Sequence, residues 1–224
     1  CGAFQYHTLI HLPVKDYRPY AAGESIFKNR KSAEELELEG PKYATEYTFK
    51  NIRTQEDTII LSTEWIKIYN ESWFKEGYET VSFDGAEIQI AEGYEPRIVD
   101  FQIVDVDGED LADDFLQMEG DLLIHVSKDL DTGARLGQDD LNALAKNAMA
   151  NGWTMIGLTN APADQNEEYR AKVNAPYPFY TCDQTELKIV VRANPGLVWI
   201  HNGVVQEKWS WHDVPTWDDL TGEP

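Results

Sequence analysis

The chain has 224 residues, enough to bury a hydrophobic core, and its 40 acidic residues outnumber its 19 basic residues to give a formal net charge of −21. Because such an acidic excess repels phosphate backbones, we expect no nucleic-acid partner. The two cysteines, Cys1 and Cys182, have neither CxxC nor zinc-ligand spacing, which argues against a structural disulfide. No apolar run reaches the roughly 18–20 residues of a spanning helix, so the fragment as given is expected to be soluble.

The first 40 residues predict a tether rather than a folded domain. Pro13 and Pro19 interrupt the segment, and no helical period runs through it. The sequence begins with Cys1 rather than methionine, which fits either a lipid-modified N-terminus or the exit from a membrane helix. Ser32 and Glu35 have the spacing of a capping box and predict a short helix over residues 32–39.

Residues 41–96 predict a small β-rich unit. Runs of β-prone residues over 43–50, 58–62, 80–83 and 86–90 indicate strands, with Asp84-Gly85 as the turn between the last two. Aromatic and aliphatic side chains at partly helical spacing lie between the second and third strands.

Residues 97–224 predict an α/β domain. Residues 98–111 favour a hairpin that turns at Asp107-Gly108. Strands over 121–127, 153–158 and 177–180 then alternate with helices over 111–118, 138–151, 167–173 and 185–191. Such alternation implies a mainly parallel sheet.

The last part of this domain predicts a proline-led hairpin. Pro195 precedes an apolar strand over residues 197–200, and Asn202-Gly203 supplies the two residues that tolerate positive φ in a tight turn. A proline in this setting predicts a cis Asn194–Pro195 bond.

This order of elements resembles the thioredoxin-like fold of the peroxiredoxin and TlpA group. The residues that carry the resemblance are Asp100-Phe101 with Asp107-Gly108 in the opening hairpin and Asn194-Pro195-Gly196-Leu197 in the cis-proline loop. The resemblance implies a three-layer fold with a mixed central sheet, preceded by the small β-rich unit. The chain departs from the redox members after the strand over 121–127, because residues 127–134 contain no cysteine where those members carry their nucleophile.

A second resemblance covers nearly the whole chain. The segment His11–Tyr20, with Tyr94-Glu95-Pro96 and Tyr177-Pro178-Phe179-Tyr180, is similar to the extracytoplasmic C-terminal region of DoxX-type membrane proteins of Bacteroidetes. This resemblance implies anchoring through the N-terminal side at the periplasmic face of the inner membrane.

The chemical candidates are few. Cys182 is the only interior thiol, and Asp183 beside it disfavours a thiolate, so a buried structural cysteine is expected. Asp129, Asp131, Asp139 and Asp140 favour a solvated acidic loop over a calcium site, because Ala134 stands where the calcium loop requires glycine. His125 is expected to be a satisfied core histidine. We predict no metal and no cofactor.

Two hypotheses follow. The first is a non-enzymatic binding or assembly module for its own membrane portion or another protein. A partner segment would dock at Asn194, Pro195 and Gly196. The facing loop with Lys128, Asp129 and Asp131 would set the charge preference, which the net charge of −21 directs toward a basic or neutral segment. The alternative is a thiol-dependent oxidoreductase that uses Cys182 with a cysteine from a partner.

Overall fold

The computed structural model describes Leu12, residues 16–130 and residues 135–222. These residues group into two compact units, one within Cys1–Arg30 and Arg97–Pro224 and the other within Lys31–Pro96. The smaller unit is therefore inserted into the sequence of the larger one.

The smaller unit is built around one long strand. The first helix of the described residues, α1 (Ile26–Arg30), belongs to the larger unit. The strands of the smaller unit are β1 (Lys42–Asn51), β2 (Asp57–Leu61), β3 (Tyr78–Ser82) and β4 (Glu87–Ala91). Its helices are α2 (Ser62–Ile68) and α3 (Ser72–Gly77). β1 pairs antiparallel with each of the other three. Phe49 from β1 and Phe74 from α3 are buried and meet edge to face, with ring centroids 5.1 Å apart. The expected strands are all present.

The helix predicted over residues 32–39 is replaced by turns. The capping box forms, since the Ser32 N–H donates to Glu35 Oε2 at 2.8 Å and the Glu35 N–H donates to Ser32 Oγ at 3.2 Å. Glu37, however, has a φ of +54°, in the left-handed region that ends helices. The cap is therefore present, but the backbone reverses before a helix can propagate.

The larger unit contains a five-stranded mixed sheet in the order β7–β6–β5–β8–β9. Its further elements are α4 (Ala112–Gln117), β5 (Asp121–Ser127), α5 (Gln138–Ala150), β6 (Thr154–Thr159), α6 (Ala163–Val173), β7 (Phe179–Thr181), α7 (Gln184–Val190), β8 (Gly196–His201), β9 (Val204–Ser210) and α8 (Trp217–Thr221). β5, β6 and β7 run parallel, whereas β8 and β9 are antiparallel to their neighbours. This is a thioredoxin-like three-layer arrangement, as the sequence predicted.

Each face of this sheet carries its own core because successive strand residues point to opposite sides. In β5, Leu122, Ile124 and Val126 enter one hydrophobic cluster, while Leu123 enters the other. The continuous apolar run of β5 is thus explained by burial on both faces.

The hairpin at the end of the sheet has the predicted geometry. The Asn194–Pro195 peptide bond is cis, and Asn202 and Gly203 have φ values of +48° and +76°. β8 pairs with β5 so that Gly196 lies opposite Val126. This register brings the cis-proline loop to the carboxyl end of β5, where the cysteine-free loop begins.

The hairpin predicted over residues 98–111 shrinks to an isolated bridge between Val104 and Asp110. A carboxylate side chain accepts hydrogen bonds from the backbone N–H groups there. Asp105 Oδ1 accepts from the N–H groups of Asp107 and Glu109, both at 2.9 Å. Such local side-chain acceptors compete with a strand ladder and replace it with a turn.

The structure also differs from the tether predicted over residues 1–40. Tyr20 and Ile26 are 0% and 1% exposed and belong to a hydrophobic cluster of the larger unit. The Gly23 N–H donates to the Val205 carbonyl at 2.8 Å, so the segment also covers the outer edge of β9. Buried apolar side chains, rather than a helical period, are what order residues 16–30. Residues 1–11 and 13–15 lie outside the described part of the chain.

Within the ranges described, no helix is both long enough and apolar enough to cross a bilayer.

Candidate functional site

The candidate site lies where the loop after β5 meets the loop before β8. The structure brings Lys128 and Asp129 from the first loop beside Asn194, Pro195 and Gly196 from the second. Pro195 and Gly196 are buried, whereas the other three are half-buried. Asp131, the remaining predicted member, falls among residues 131–134, which lie outside the described part of the chain.

Asn194 links the two loops through its side chain. Its Oδ1 accepts from the Lys128 N–H at 2.7 Å, and its Nδ2 donates to the Asp129 carbonyl at 3.4 Å. Asn194 was predicted to lie where a partner segment docks, but its side-chain amide is turned toward the facing loop. Asn194 therefore holds the cis-proline loop in place.

Lys128 makes the second connection. Its Nζ donates to the carbonyl oxygens of Arg192 at 2.6 Å and Val191 at 3.4 Å, just beyond the carboxyl end of α7. Burial, together with the nearby charges of Arg18 and Lys188, lowers the pKa of Lys128. A cation in this position satisfies carbonyls that a helix terminus leaves without partners.

Two further cations meet the same helix end. Arg18 Nη1 donates to the Lys188 carbonyl at 3.4 Å, and Lys208 Nζ donates to the Val190 carbonyl at 3.1 Å. Asp16 pairs with both Arg18 and Lys208. Burial opposes the ionisation of Asp16, but the hydrogen bonds from Arg18 and Lys208 outweigh it and hold the pKa of Asp16 well below its usual range. Asp16 and Lys208 are 192 residues apart, so no sequence spacing could have shown this cluster.

The result is a locally cationic surface on an acidic protein. Among the described residues it comprises Arg18, Lys128, Lys188, Arg192 and Lys208, with Asp16 and Asp129 as the carboxylates of the same region; we call it the cationic patch. Lys188 and Arg192 are exposed, and the other three cations are half-buried. The sign of the charge here is opposite to the net charge of −21.

Cys182 lies in a core of the larger unit and is 3% exposed. Burial, reinforced by Glu186 and Asp183, raises the pKa of its thiol to about 12. Its N–H donates to the Thr159 carbonyl at 2.8 Å. A buried thiol that resists ionisation is a poor nucleophile, so this geometry does not favour the oxidoreductase alternative.

His125 is fully buried on β5, as expected for a core histidine, but within the described part of the chain only one of its ring nitrogens has a hydrogen-bond partner. Its Nδ1 lies 3.0 Å from the Tyr177 hydroxyl, which in turn accepts from Gln138 Nε2 at 3.1 Å. We assign the Tyr177 hydroxyl proton to its bond with Nδ1 and the imidazole proton to Nε2, an atom with no hydrogen-bond partner among the described residues. Burial lowers the pKa of His125 to about 3.

Asp139 and Asp140 lie in the first turn of α5. Among the residues described, no group of His, Cys, Asp or Glu side chains could hold a metal ion. Negative charge there complements the helix dipole, which accounts for both residues.

No protein-family model matches the chain, and no curated protein has a matching sequence. Among solved structures, it is similar to an uncharacterized conserved protein from Geobacillus kaustophilus, with 14% identity over 47% of this chain and a TM-score of 0.38. That similarity spans 62% of the Geobacillus protein, less than two thirds of its length.

A thiol:disulfide interchange protein of the thioredoxin family from Chlorobium tepidum is 18% identical, over 54% of this chain and 88% of that one, with a TM-score of 0.40. Peroxidoxin BcpB from Mycobacterium tuberculosis is 13% identical, over 56% of this chain and 89% of that one, with a TM-score of 0.42. The fold assignment rests on the strand order and the cis-proline hairpin described above, and no activity follows from these similarities.

Proposed function

We propose that this chain is a non-catalytic thioredoxin-like domain that acts as a binding or assembly module. In this proposal it is anchored through its N-terminal side on the extracytoplasmic face of the inner membrane, and its partner is its own membrane portion or another protein. Two features support a role without thiol chemistry. The loop after β5 has no cysteine in its sequence, and Cys182 is buried with a raised pKa.

The observation that carries the proposal is the cationic patch around the cis-proline loop. Opposite charges on two surfaces steer association and suppress wrong partners. A partner segment that carries carboxylates would therefore be favoured over the basic or neutral segment that the net charge suggested. The local charges outweigh the net charge here because salt screens charges beyond about 8–10 Å.

The described residues at which the two loops meet are also pre-organised. Asn194 and Lys128 connect them through their hydrogen bonds to Asp129 and Arg192, so a partner would not have to order them on binding. Pre-organisation of this kind strengthens binding mainly by lowering its entropic cost.

Photocrosslinking in cells that carry the full-length protein tests the proposal. A photoreactive residue in place of the exposed Arg192 should label a partner, whereas the same residue in place of the exposed Glu167 on α6 should not. Adding Lys188→Glu should reduce the labelling at least fivefold, and adding Lys146→Glu, an exposed lysine on α5, should leave it unchanged. Labelling at position 192 no stronger than at position 167 would refute the proposal.

A further inference from the structure

The chain contains two Asn-Gly pairs, Asn151-Gly152 and Asn202-Gly203. An asparagine followed by glycine is especially prone to internal cyclisation, because glycine has no side chain to shield its own peptide nitrogen. The structure places the two pairs in different settings, the first at the end of α5 and the second in the turn between β8 and β9. The same chemistry can therefore have different outcomes at the two positions.

The first pair lies on the surface of the protein. Asn151 and Gly152 are both exposed. Gly152 has a φ of +82°, and a Cβ built on it would meet no atom of the described residues within 4 Å. The Asn151 side chain lies along the helix end, where its Nδ2 donates to the Asn147 carbonyl at 2.9 Å. The peptide between Asn151 and Gly152 thus has room to turn, as ring closure requires.

The backbone hydrogen bonds around this pair are the last ones of α5. The Gly152 N–H donates to the Met149 carbonyl at 3.2 Å, and the Trp153 N–H donates to the Ala148 carbonyl at 2.9 Å. These two bonds form a Schellman motif, which closes the helix with a left-handed residue. Because helix ends fray, the bond that holds the Gly152 nitrogen opens more readily than a bond inside the helix.

The second pair is held in place by its neighbours. Asn202 Oδ1 accepts from the Gly120 N–H at 2.8 Å, and Asn202 Nδ2 lies 2.9 Å from His201 Nε2. Gly203 is buried, and a Cβ there would lie 2.6 Å from the Leu116 carbonyl oxygen. Turning this peptide would break the side-chain contacts and press the turn against α4. Asn202 is therefore protected, although it is also exposed.

From this difference we infer that Asn151 is a site of spontaneous modification, at which asparagine is converted to aspartate and isoaspartate. The Gly152 nitrogen bonds to Asn151 Cγ and closes a cyclic imide as the bond between Cγ and Nδ2 breaks. Nδ2 leaves as ammonia with the proton from the Gly152 nitrogen. Water then opens the imide at either carbonyl. One product keeps the normal backbone, and the other gains a methylene group in its backbone.

The isoaspartate product changes the packing of α8. Trp153 stacks on Trp199 with ring centroids 5.4 Å apart and meets Trp217 of α8 with centroids 5.1 Å apart. An added methylene group ahead of Gly152 moves the Gly152 and Trp153 N–H groups away from the carbonyls of the Schellman motif. The new carboxylate also lies at the negative end of the α5 dipole, which is unfavourable. Conversion of Asn151 therefore loosens the contact between Trp153 and α8.

Peptide mapping by mass spectrometry tests this assignment on the whole chain incubated in ¹⁸O-labelled water at neutral pH. Each converted asparagine takes up one ¹⁸O atom when the imide opens. The chain unfolded in urea is the reference, because both pairs then react without tertiary contacts. In the folded chain Asn151 should convert at least roughly tenfold faster than Asn202, whereas in urea the two rates should be similar. A folded-state ratio no larger than the ratio in urea would overturn the assignment, and so would a folded chain that leaves Asn151 unconverted.

A matched pair of variants completes the test. Gly152→Ala and Gly108→Ala each add a methyl group to a glycine with positive φ and open surroundings, so their backbone penalties are similar. Only Gly152→Ala should slow the conversion of Asn151, by at least roughly fivefold, because its methyl group shields the attacking nitrogen. Equal rates in the two variants would overturn the assignment.

Hydrogen exchange tests the effect on α8. The Trp153 amide should lose its protection in the chromatographically isolated isoaspartate product, because its bond to the Ala148 carbonyl is lost. It should keep its protection in freshly prepared Asn151→Asp, which adds the charge without lengthening the backbone. Equal protection in the isoaspartate product and the unmodified chain would overturn the inferred loosening of α8.

Discussion

His125 shows how a single buried residue can make stability depend on pH. Its Nδ1 pairs with the Tyr177 hydroxyl, its Nε2 has no hydrogen-bond partner among the described residues, and burial lowers its pKa from 6.5 to about 3. The folded state therefore keeps the imidazole neutral at a pH where the unfolded chain is already protonated. The stability that depends on the neutral form is fully present above pH 6.5 and is lost progressively as the pH falls toward the folded pKa.

We expect His125→Phe to remove this dependence. Between about pH 7 and pH 5 the native chain should lose about 2 kcal/mol of unfolding free energy through His125, and the variant should not lose that amount. Urea unfolding at the two pH values measures the difference. His212→Phe, at an exposed histidine of the same unit, controls for the removal of an imidazole. An identical pH effect in native and His125→Phe protein would contradict the assignment of His125 as the group responsible.

The buried thiol of Cys182 predicts that the chain has no thiol-dependent redox activity. A buried thiol with its pKa raised to about 12 has a negligible thiolate fraction at neutral pH. The native chain should therefore neither reduce insulin nor consume peroxide, and Cys182→Ser should behave identically. Any turnover that Cys182→Ser abolishes would favour the oxidoreductase alternative over the binding module.

At the scale of elements, the sequence pattern predicted a strand or helix correctly where no nearby side chain or backbone reversal competed with it. β5 begins and ends where its apolar run does, because both of its faces are covered. The turn over residues 33–37 and the bridge at Val104 departed from prediction because backbone reversal at Glu37 and carboxylate acceptors at Asp105 prevailed over propensity.

The residues of the candidate site also fall into those that the sequence predicts and those that it does not. Asn194, Pro195 and Lys128 could be predicted because each stands beside a recognisable strand end. Arg18 and Lys208 could not, because they meet at the end of α7 only through the tertiary fold.

Two glycines with positive φ, Gly203 in the turn between β8 and β9 and Gly108 in another turn, separate the cost of a steric clash from the cost of a left-handed backbone. Gly203 has a φ of +76°, and a Cβ there would lie 2.6 Å from the Leu116 carbonyl oxygen. Gly108 has a φ of +86°, and a Cβ there would meet no atom of the described residues within 4 Å. Both Gly→Ala changes impose the left-handed penalty of about 1 kcal/mol, but only Gly203→Ala also forces α4 and the hairpin apart.

We therefore expect Gly203→Ala to lower the unfolding free energy by about 1–3 kcal/mol more than Gly108→Ala does. Chemical denaturation of the two variants measures this difference directly. Equal losses would show that the contact with Leu116 relaxes without cost.

For the molecule as a whole, the decisive feature is that the larger unit is discontinuous in sequence. The described residues within Cys1–Arg30 and Arg97–Pro224 form it together, and Lys31–Pro96 is inserted between them. Within the larger unit, the two chain ends that flank the insertion are neighbours. The Ile98 N–H donates to the Asn29 carbonyl at 3.0 Å, and Arg97 pairs with Glu24 at 2.7 Å. Insertions whose ends lie close together can be exchanged without disturbing the host.

The segment before the insertion, residues 16–30, contributes two large buried side chains to the core of the larger unit. Tyr20 and Ile26 are buried in the same cluster as Phe101 and Leu187, and the Tyr20 hydroxyl donates to Glu186. Burial, with Glu186 next, raises the pKa of Tyr20, so this phenol stays neutral and keeps donating at physiological pH. Removing one large buried side chain costs about 2–5 kcal/mol, a substantial part of the 5–15 kcal/mol by which domains are typically stable.

We therefore expect opposite results from two deletions. Replacing Lys31–Pro96 with a short glycine-serine linker between Arg30 and Arg97 should leave the larger unit folded, with a melting temperature within about 5 °C of its transition in the whole chain. A chain that begins at Arg97, and so lacks Tyr20 and Ile26, should not fold, because the two lost side chains together exceed the stability of a marginal domain. Thermal unfolding followed by near-ultraviolet circular dichroism distinguishes the two, since the signal of packed aromatic residues should survive only in the linker variant. If the chain beginning at Arg97 folded as stably as the linker variant, residues 16–30 would be an accessory strap rather than part of the core.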